Sequence, residues 1–362
     1  MKAIITAGGN GTRLRPITYS MNKHLIPVGN QPIIFNALDD VAKAGITEVL
    51  ININKGDKEL PKAVGDGARW KIKITYQEQD EPRGLGHLLK LAKDFVGNDK
   101  FVFYYGDNIF TGGLKEHLQE WEKKNSNFHL CLVKVKDPEG FGVAVVENDK
   151  IVKTVEKPQT FISDLAITGI QFYDAHIFEA LEHVRPTPPK AGRKIAEMDI
   201  PPANQWLLDN GYTASYSIIN GWWKDTGKPY DLLAGNRLLL QGRKNMKNLA
   251  EKIEETVDVQ GDAEIAGGVQ LLGKTVVRGP VAIGENSIIR DSYIGPYSAI
   301  GKNVEIYNSE VENSIIMDDA DISCEKRIVD SIIGHNAIIA SAHLTKPAGH
   351  RLIIGENSQV EL

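Results

Sequence analysis

The residues most able to do chemistry are charged and stand at the ends of apolar runs. Arg13 lies in Gly8-Gly9-Asn10-Gly11-Thr12-Arg13-Leu14-Arg15-Pro16, directly after the short run Ala3-Ile4-Ile5-Thr6-Ala7, and Lys23 follows in the spacing Lys23-x-x-x-Pro27. A strand that ends in a glycine-rich turn sets backbone N–H groups beside cationic side chains, which suits the phosphates of a nucleotide. Arg offers phosphate oxygens a planar fork and Lys a compact point charge. The glycines also have a plainer use, supplying positive φ to an ordinary strand-to-helix turn. The pattern is not a Walker A loop, because no Gly-Lys-Ser/Thr follows. Nor is it a dinucleotide fingerprint, because Gly8, Gly9 and Gly11 do not fit G-x-G-x-x-G. Asp107 closes the run Phe101-Val102-Phe103-Tyr104-Tyr105-Gly106, a position where α/β sheets bind ligands. Asp225 stands in Trp222-Trp223-Lys224-Asp225-Thr226-Gly227, which also reads as a turn.

Alternating strand-like and helix-like segments must position these groups. Strand-like runs are Ala3–Thr6, Glu48–Ile53, Lys71–Tyr76, Phe101–Tyr105 and His129–Val135. Helical patterns run from Ile33 to Ala44 before Gly45, and from Leu85 to Phe95 before Gly97. Gly142–Val146 and Ile151–Val155, joined by Glu147-Asn148-Asp149-Lys150, read as a hairpin. The first part of the chain is therefore expected to be an α/β domain, Rossmann-like, with a mixed and mostly parallel sheet and an antiparallel insertion.

The texture changes after the charged stretch Gln241–Lys247 that follows the helical pattern around Leu232–Leu240. Ile265, Leu271, Val277, Ile283 and Ile289 are spaced six apart, as are Ile294, Ile300 and Ile306, and again Ile316, Ile322 and Ile328. Period six with small neighbours is the signal of a hexapeptide β-helix, in which each coil contributes one aliphatic side chain per face to a shared core. The steps from 289 to 294 and from 306 to 316 break the period, as a turn adjustment or a loop would. The expected domains are residues 1–243 and 244–362.

Composition narrows the function classes. The 362 residues carry a net charge of −5, which gives no electrostatic footprint for nucleic acid. No apolar stretch is long enough to span a membrane. The apolar run after Lys2 is too short for a signal peptide. Cys131 and Cys324 are far apart and lack metal-ligand spacing, as buried thiols in a reducing compartment do. A cytoplasmic protein is expected.

Gly-x-Gly-Thr-Arg-Leu-x-Pro with Lys23-x-x-x-Pro27 resembles the signature of the sugar-1-phosphate nucleotidyltransferases, and the later period-six segment resembles the left-handed parallel β-helix appended to several of them. The similarity runs along nearly the whole chain and is greatest to long-form members that join glucose 1-phosphate to dTTP. It implies Mg²⁺-dependent transfer, in which a sugar phosphate oxygen attacks the α-phosphorus directly and pyrophosphate leaves. In line with the family, Arg13, Lys23 and Asp107 are the catalytic candidates, with Asp107 and Asp225 holding the metal through oxygen ligands. Ala7, Gly8, Gly9, Gly11, Thr12 and Arg13 correspond to the nucleotide loop, with loop amides turned to the nucleotide. Gln79 and Gly84 correspond to the base-recognition segment; a Gln amide offers a donor and an acceptor to a pyrimidine edge. Asn108, Gly142, Glu156, Lys157, Thr168 and Gly169 correspond to the sugar-phosphate site, Glu156-Lys157-Pro158 matching a family motif.

One segment departs from the family. Where it carries Arg-Gly-Glu-Leu-Glu-Ile-Thr-Asp, this chain reads Ile195-Ala196-Glu197-Met198-Asp199-Ile200-Pro201-Pro202. A sugar-phosphate arginine becomes Ile195, for which Arg193 or Lys194 is a candidate substitute. The departure leaves open UTP in place of dTTP, and another hexose or amino-sugar 1-phosphate as acceptor. Two further alternatives are a non-catalytic nucleotide-sugar scaffold and an acyltransferase β-helix using His335, His343 or His350. An assembly role, as in a homo-oligomer, or a regulatory role is expected for the β-helix.

Overall fold

The computed structural model describes residues 1–188, 195–341, 352 and 354–361. Arg193, Lys194, His343 and His350 lie outside the described residues; His335 is exposed. By contacts the chain forms two compact units. One comprises Met1–Asn10 and Ile33–Asp225, the other Gly11–Pro32 and Thr226–Leu362.

The first unit is built on a nine-stranded mixed sheet. Phe101–Tyr105, Lys2–Thr6, Glu48–Asn54 and Lys73–Gln79 lie side by side in that order, all parallel. Leu165–Tyr173 pairs antiparallel with Phe101–Tyr105 and with Phe128–Lys134. The Gly142–Glu147 and Lys150–Glu156 hairpin adds to it, closed by Asn148 and Asp149 at φ 48° and 61°. The parallel strands read as continuous apolar runs because both faces are covered: Ala3, Ile4, Val49, Ile51, Val102 and Phe103 have no exposed surface. The helix Ile33–Lys43 buries Ile34, Leu38 and Val41. Helices His176–His183 and Pro201–Asp209 join a core with Phe101, Phe128 and Leu207.

Two differences from the expected elements bear on the site. The strand expected at Lys71–Tyr76 runs instead from Lys73 to Gln79, because Lys71 adopts φ 59° after a 3-10 turn. The shift carries Gln79 to the strand's carboxyl end. The helix expected over 85–95 is two short helices, Leu85–Leu91 and Lys93–Val96, before Gly97 at φ 60°.

In the second unit three parallel sheets form the faces of the left-handed β-helix. One face aligns Ile253, Leu271, Ile289, Ile306, Ile322 and Ile339. A second aligns Val259, Val277, Ile294, Val311 and Ile328. The third aligns Ile265, Ile283, Ile300, Ile316 and Ile333. The irregular step from 306 to 316 is thus no loop: Val311 stands midway, so it is two five-residue faces. The step from 289 to 294 is one such shortened face. The corners explain the tolerance. Asn286, Asn303, Asp319 and Asn336 repeat at one corner, Asp291, Asn308 and Glu325 at another, Tyr297, Asn313 and Asp330 at the third, with φ between 45° and 66°. Asn and Asp accept this left-handed conformation more readily than other side chains.

The same unit fastens helix Pro229–Gly242 to the hairpin Pro27–Val28/Gln31–Pro32. Fully buried Asn236 accepts from Gly29 N–H at 2.8 Å and donates to the Tyr297 carbonyl at 2.7 Å. Arg243 donates to the Gly29 carbonyl and pairs with Glu264.

Candidate active site

The parallel strands deliver their carboxyl ends in a row. Phe101–Tyr105 leads to Asp107, Lys2–Thr6 to the glycine turn, Glu48–Asn54 ends at Asn54, and Lys73–Gln79 ends at Gln79. Three inter-strand steps of ~4.8 Å separate the ends of this row by about 14 Å.

At the glycine turn, Ala7 N–H still completes the strand ladder, donating to the Asn52 carbonyl at 2.8 Å. Asn54 clamps Gly9 in both directions, accepting from its N–H at 2.8 Å and donating to its carbonyl at 3.2 Å. The Gly9 amide is therefore engaged by the Asn54 side chain. A Cβ at Gly8 would lie 3.0 Å from Asn52 Oδ1, a tight approach that the asparagine side chain would have to relieve. Asn52 and Asn54 were not singled out in the sequence; two asparagines alternating within an otherwise apolar strand are the signal.

Asp107 and Asp225 are brought together by a two-stranded ladder between Asn108–Phe110 and Trp223–Asp225, in which Asn108 is the register partner of Asp225. Asp107 is buried, and Asn108 holds it: Asn108 Nδ2 donates to Asp107 Oδ1 at 3.2 Å. Asn108 Oδ1 in turn accepts from Gly169 N–H at 3.2 Å and from Trp223 Nε1 at 2.7 Å. The Asn108 side chain thus ties the first aspartate to both neighbouring segments. One carboxylate in the turn before Asn108–Phe110 and one on its partner strand are oxygen donors of the hard kind that Mg²⁺ takes. Among the described residues no cluster of three or more His, Cys, Asp or Glu forms a closed all-protein metal site.

On the antiparallel side Glu156 is the register partner of Gly142, and Lys157 Nζ pairs with Glu156 Oε1 at 3.0 Å. Lys157 has φ 43°, a strained conformation for a non-glycine residue. Gly169 lies where the pairing of its strand slips between Ile167 and Gln171, and a Cβ there would sit 2.6 Å from the Tyr105 ring base. Thr168 is fully buried; its hydroxyl donates to the Cys131 carbonyl at 2.8 Å and accepts from Ile170 N–H at 3.3 Å. It braces the irregular strand that presents Gly169. Beside Glu156 opens a cavity of about 670 Å³ whose walls include Lys157, Asp199, Pro202, Gln205 and Trp206.

Gln79 and Gly84 meet, Gln79 Nε2 lying 3.4 Å from the Gly84 carbonyl and 3.1 Å from His87 Nδ1. Burial, then the charge of Arg83, lowers the His87 pKa, while Asp80 opposes the shift. The divergent segment docks here through its backbone: Met198 N–H donates to the Arg83 carbonyl and Gly86 N–H to the Met198 carbonyl, both at 2.8 Å. Pro201 and Pro202 begin a helix, where a missing N–H costs nothing.

Arg13 and Lys23 belong to the second unit. Arg13 is exposed on the 3-10 turn Thr12–Leu14, anchored by buried Leu14, with Gly11 at φ 54° and its carbonyl accepting from Thr18 Oγ1 at 2.7 Å. Lys23 opens the turn Lys23–Leu25, capped by Asn22.

The nucleotidyl transferase family profile matches residues 2–242. The whole chain aligns at 39% identity with 99% of a glucose-1-phosphate thymidylyltransferase of Streptomyces antibioticus. It aligns at 38% identity with the full length of the low-salt glycan biosynthesis nucleotidyltransferase Agl11 of Haloferax volcanii. Among solved structures, a Bacillus anthracis protein described as a glucose-1-phosphate thymidylyltransferase and crystallised with sucrose superposes with TM-score 0.61 at 36% identity. The match spans 68% of this chain and 98% of that one. Among the described residues no helix is long and apolar enough to cross a membrane.

Proposed function

The chain belongs to the nucleotidyl transferase family and is a nucleotidyltransferase of the glucose-1-phosphate thymidylyltransferase kind, and from that premise we propose that it joins dTTP to glucose 1-phosphate with release of pyrophosphate. The observation that carries the reading is the row of carboxyl ends: a carboxamide at one end, a glycine turn between, and an aspartate pair at the other. A nucleoside phosphate laid along it meets Gln79 with its base and Asp107 with its α-phosphate.

In this reading Asp107 and Asp225 would hold Mg²⁺, which when bound neutralises charge on the phosphates. Asn108 keeps Asp107 in place. Arg13 and Lys23 bind the triphosphate, and Arg13 offsets charge on the leaving pyrophosphate. Lys157 binds the phosphate of the acceptor, Glu156 accepts from its hydroxyls, and glycines 142 and 169 leave the sugar room. Alignment of the two anions is the main contribution of these groups, because positioning replaces an encounter between like charges. Chemistry resides in residues 1–243, and residues 244–362 serve self-association in a cytoplasmic homo-oligomer.

A second reading keeps the reaction and changes the acceptor. Pro202, in the segment that departs from the family, lines the cavity beside Glu156. That wall would suit an acceptor other than glucose 1-phosphate. Pyrophosphate release with Mg²⁺ separates the readings when dTTP and UTP are crossed with glucose 1-phosphate, glucosamine 1-phosphate and N-acetylglucosamine 1-phosphate. A dominant dTTP and glucose 1-phosphate signal supports the first reading. Another preferred sugar supports the second, and no release from any pair refutes both. Asp107→Asn is expected to lower turnover by on the order of 100-fold or more while the protein stays folded.

A further inference from the structure

A loop that receives phosphates binds best when its amide donors are already aimed, because a donor that must be ordered on binding costs affinity. In the glycine turn one side chain does the aiming. Asn54 Oδ1 accepts from Gly9 N–H at 2.8 Å, and Asn54 Nδ2 donates to the Gly9 carbonyl at 3.2 Å. A backbone N–H can only donate and a carbonyl can only accept, so this pair settles both the face of the carboxamide and the direction of the two backbone groups. Packing does not settle them. Among the described residues, a Cβ on Gly9 would meet no atom within 4 Å, and glycine at φ 101° keeps wide conformational freedom.

The clamp decides where the next amide points. Among the described residues the cis peptide bonds are Arg15-Pro16 and Gly279-Pro280, so the bond from Gly9 to Asn10 is trans. Across a trans peptide the C=O and the following N–H point in opposite directions. With the Gly9 carbonyl turned to Asn54, the Asn10 N–H is turned away from it. Asn54 ends the strand on one side of Lys2–Thr6, and the strand on the other side is Phe101–Tyr105, which leads to Asp107. The Asn10 N–H is therefore turned toward the Asp107 flank. The same rule applied to Gly9 N–H turns the Gly8 carbonyl that way too. That flank thus receives one acceptor and one donor, and the donor is the group that suits a phosphate oxygen. Asn10 is exposed, and among the described residues nothing accepts from its N–H.

We propose that Asn54 is a positioning residue for nucleotidyl transfer: by holding Gly9 it aims the Asn10 N–H at a phosphate oxygen of the bound nucleoside triphosphate. The proposal rests on the reading of the glycine turn as the nucleotide loop. Asn54 acts through Gly9 and the peptide that follows it. The contact it prepares is to phosphate, so its strength is independent of the base.

The test is calorimetric binding of dTTP and of UTP to the full chain with Mg²⁺ and no acceptor sugar, on variants shown to be folded by urea unfolding. Asn54→Ala should weaken both nucleotides about tenfold, the scale of one hydrogen bond to a charged group, and leave their affinity ratio within about twofold of wild type. Asn10→Pro deletes the donor itself and should weaken both to a similar extent. Asn10→Ala keeps the N–H and should bind as the wild type does. Combining Asn54→Ala with Asn10→Pro should cost little beyond either alone, because both remove one contact, whereas a merely structural defect at Asn54 would add its own loss. Asn54→Ser, whose hydroxyl is too short to hold both backbone groups, takes the place of Asn54→Ala should that variant not fold. Unchanged affinity in either single variant, additive losses in the double variant, or a loss confined to one of the two nucleotides overturns the proposal. If the wild type binds both nucleotides and the variants do so equally well, only the role of Asn54 falls. If the wild type binds neither, the reading of the loop falls and the proposal with it.

Discussion

Asp40 sits on helix Ile33–Lys43, where its Oδ2 accepts from Tyr104 Oη at 2.9 Å in the strand that leads to Asp107. Burial, opposed by the Tyr104 hydrogen bond and by Lys43, pushes its pKa from 3.8 up to about 6. The folded state thus holds this proton more tightly than the unfolded chain does. The stability it contributes is fully present below pH 3.8 and is lost as pH rises through about 6. A shift of about two units corresponds to about 3 kcal/mol. Asp40→Asn keeps an acceptor for Tyr104 and removes the charge. The variant should match the parent near pH 4 and exceed it by about 2–3 kcal/mol at pH 7.5. Urea unfolding followed by tryptophan fluorescence measures the difference at each pH, and Trp70, on the 3-10 turn Ala68–Trp70, touches the same helix where its Nε1 donates to Asp39 at 2.6 Å. A difference that stays constant between pH 4 and 7.5 would refute the reasoning, because Asp40 would then be ionised in the folded protein throughout.

Gly169→Ala places a Cβ 2.6 Å from Tyr105 and 2.8 Å from Asn108 Cγ. The Asn108 hydrogen bond to Asp107 must then shift, and pyrophosphate release should fall on the order of 100-fold, more than the change in unfolding free energy accounts for. In the β-helix, Asn303→Val puts a β-branched residue at φ 53° and removes the Asn303 Nδ2 hydrogen bond to Asp319 Oδ1 at 3.0 Å. It should cost about 1–3 kcal/mol in urea unfolding, against a few tenths for Asn303→Gly.

The period-six aliphatics were legible because a parallel β-helix repeats one demand, an inward apolar side chain per face, so Ile265 through Ile306 reveal the coil without any long-range knowledge. Val311 was missed because its flanking steps are five residues, and the corner asparagines that permit such steps act through φ rather than through side-chain character. Motif positions such as Asp107 and Glu156 were legible because each sits at the end of an apolar run or hairpin. Asn54, and Asn108 as a clamp, could not be read this way. Their significance lies in what they touch: Gly9 lies 45 positions from Asn54, and Gly169 lies 61 from Asn108. No local pattern carries pairings of that range.

The segment Ile195–Pro202 shows why a sequence departure need not spread. Its contacts to the Gly84 loop are the hydrogen bonds of the Met198 N–H and carbonyl, and the close approach of the Met198 side chain, whose Cγ would lie 2.6 Å from a Cβ on Gly86. Backbone contacts of this kind survive any side chain that keeps the local conformation. The same geometry makes Gly84 demanding: a Cβ there would lie 2.5 Å from the Met198 carbonyl oxygen and 2.7 Å from its nitrogen. The Gly84 turn therefore depends on the Met198 backbone, whereas Gly86 also meets its side chain. Asp199 and Pro202 put side chains into the wall of the cavity beside Glu156, while Pro201 packs against Gly142 closely enough that a Cβ on Gly142 would meet its Cγ at 2.9 Å. In the proposed reading of the cavity beside Glu156, sequence change at Asp199 and Pro202 is therefore expected to act on the choice of acceptor.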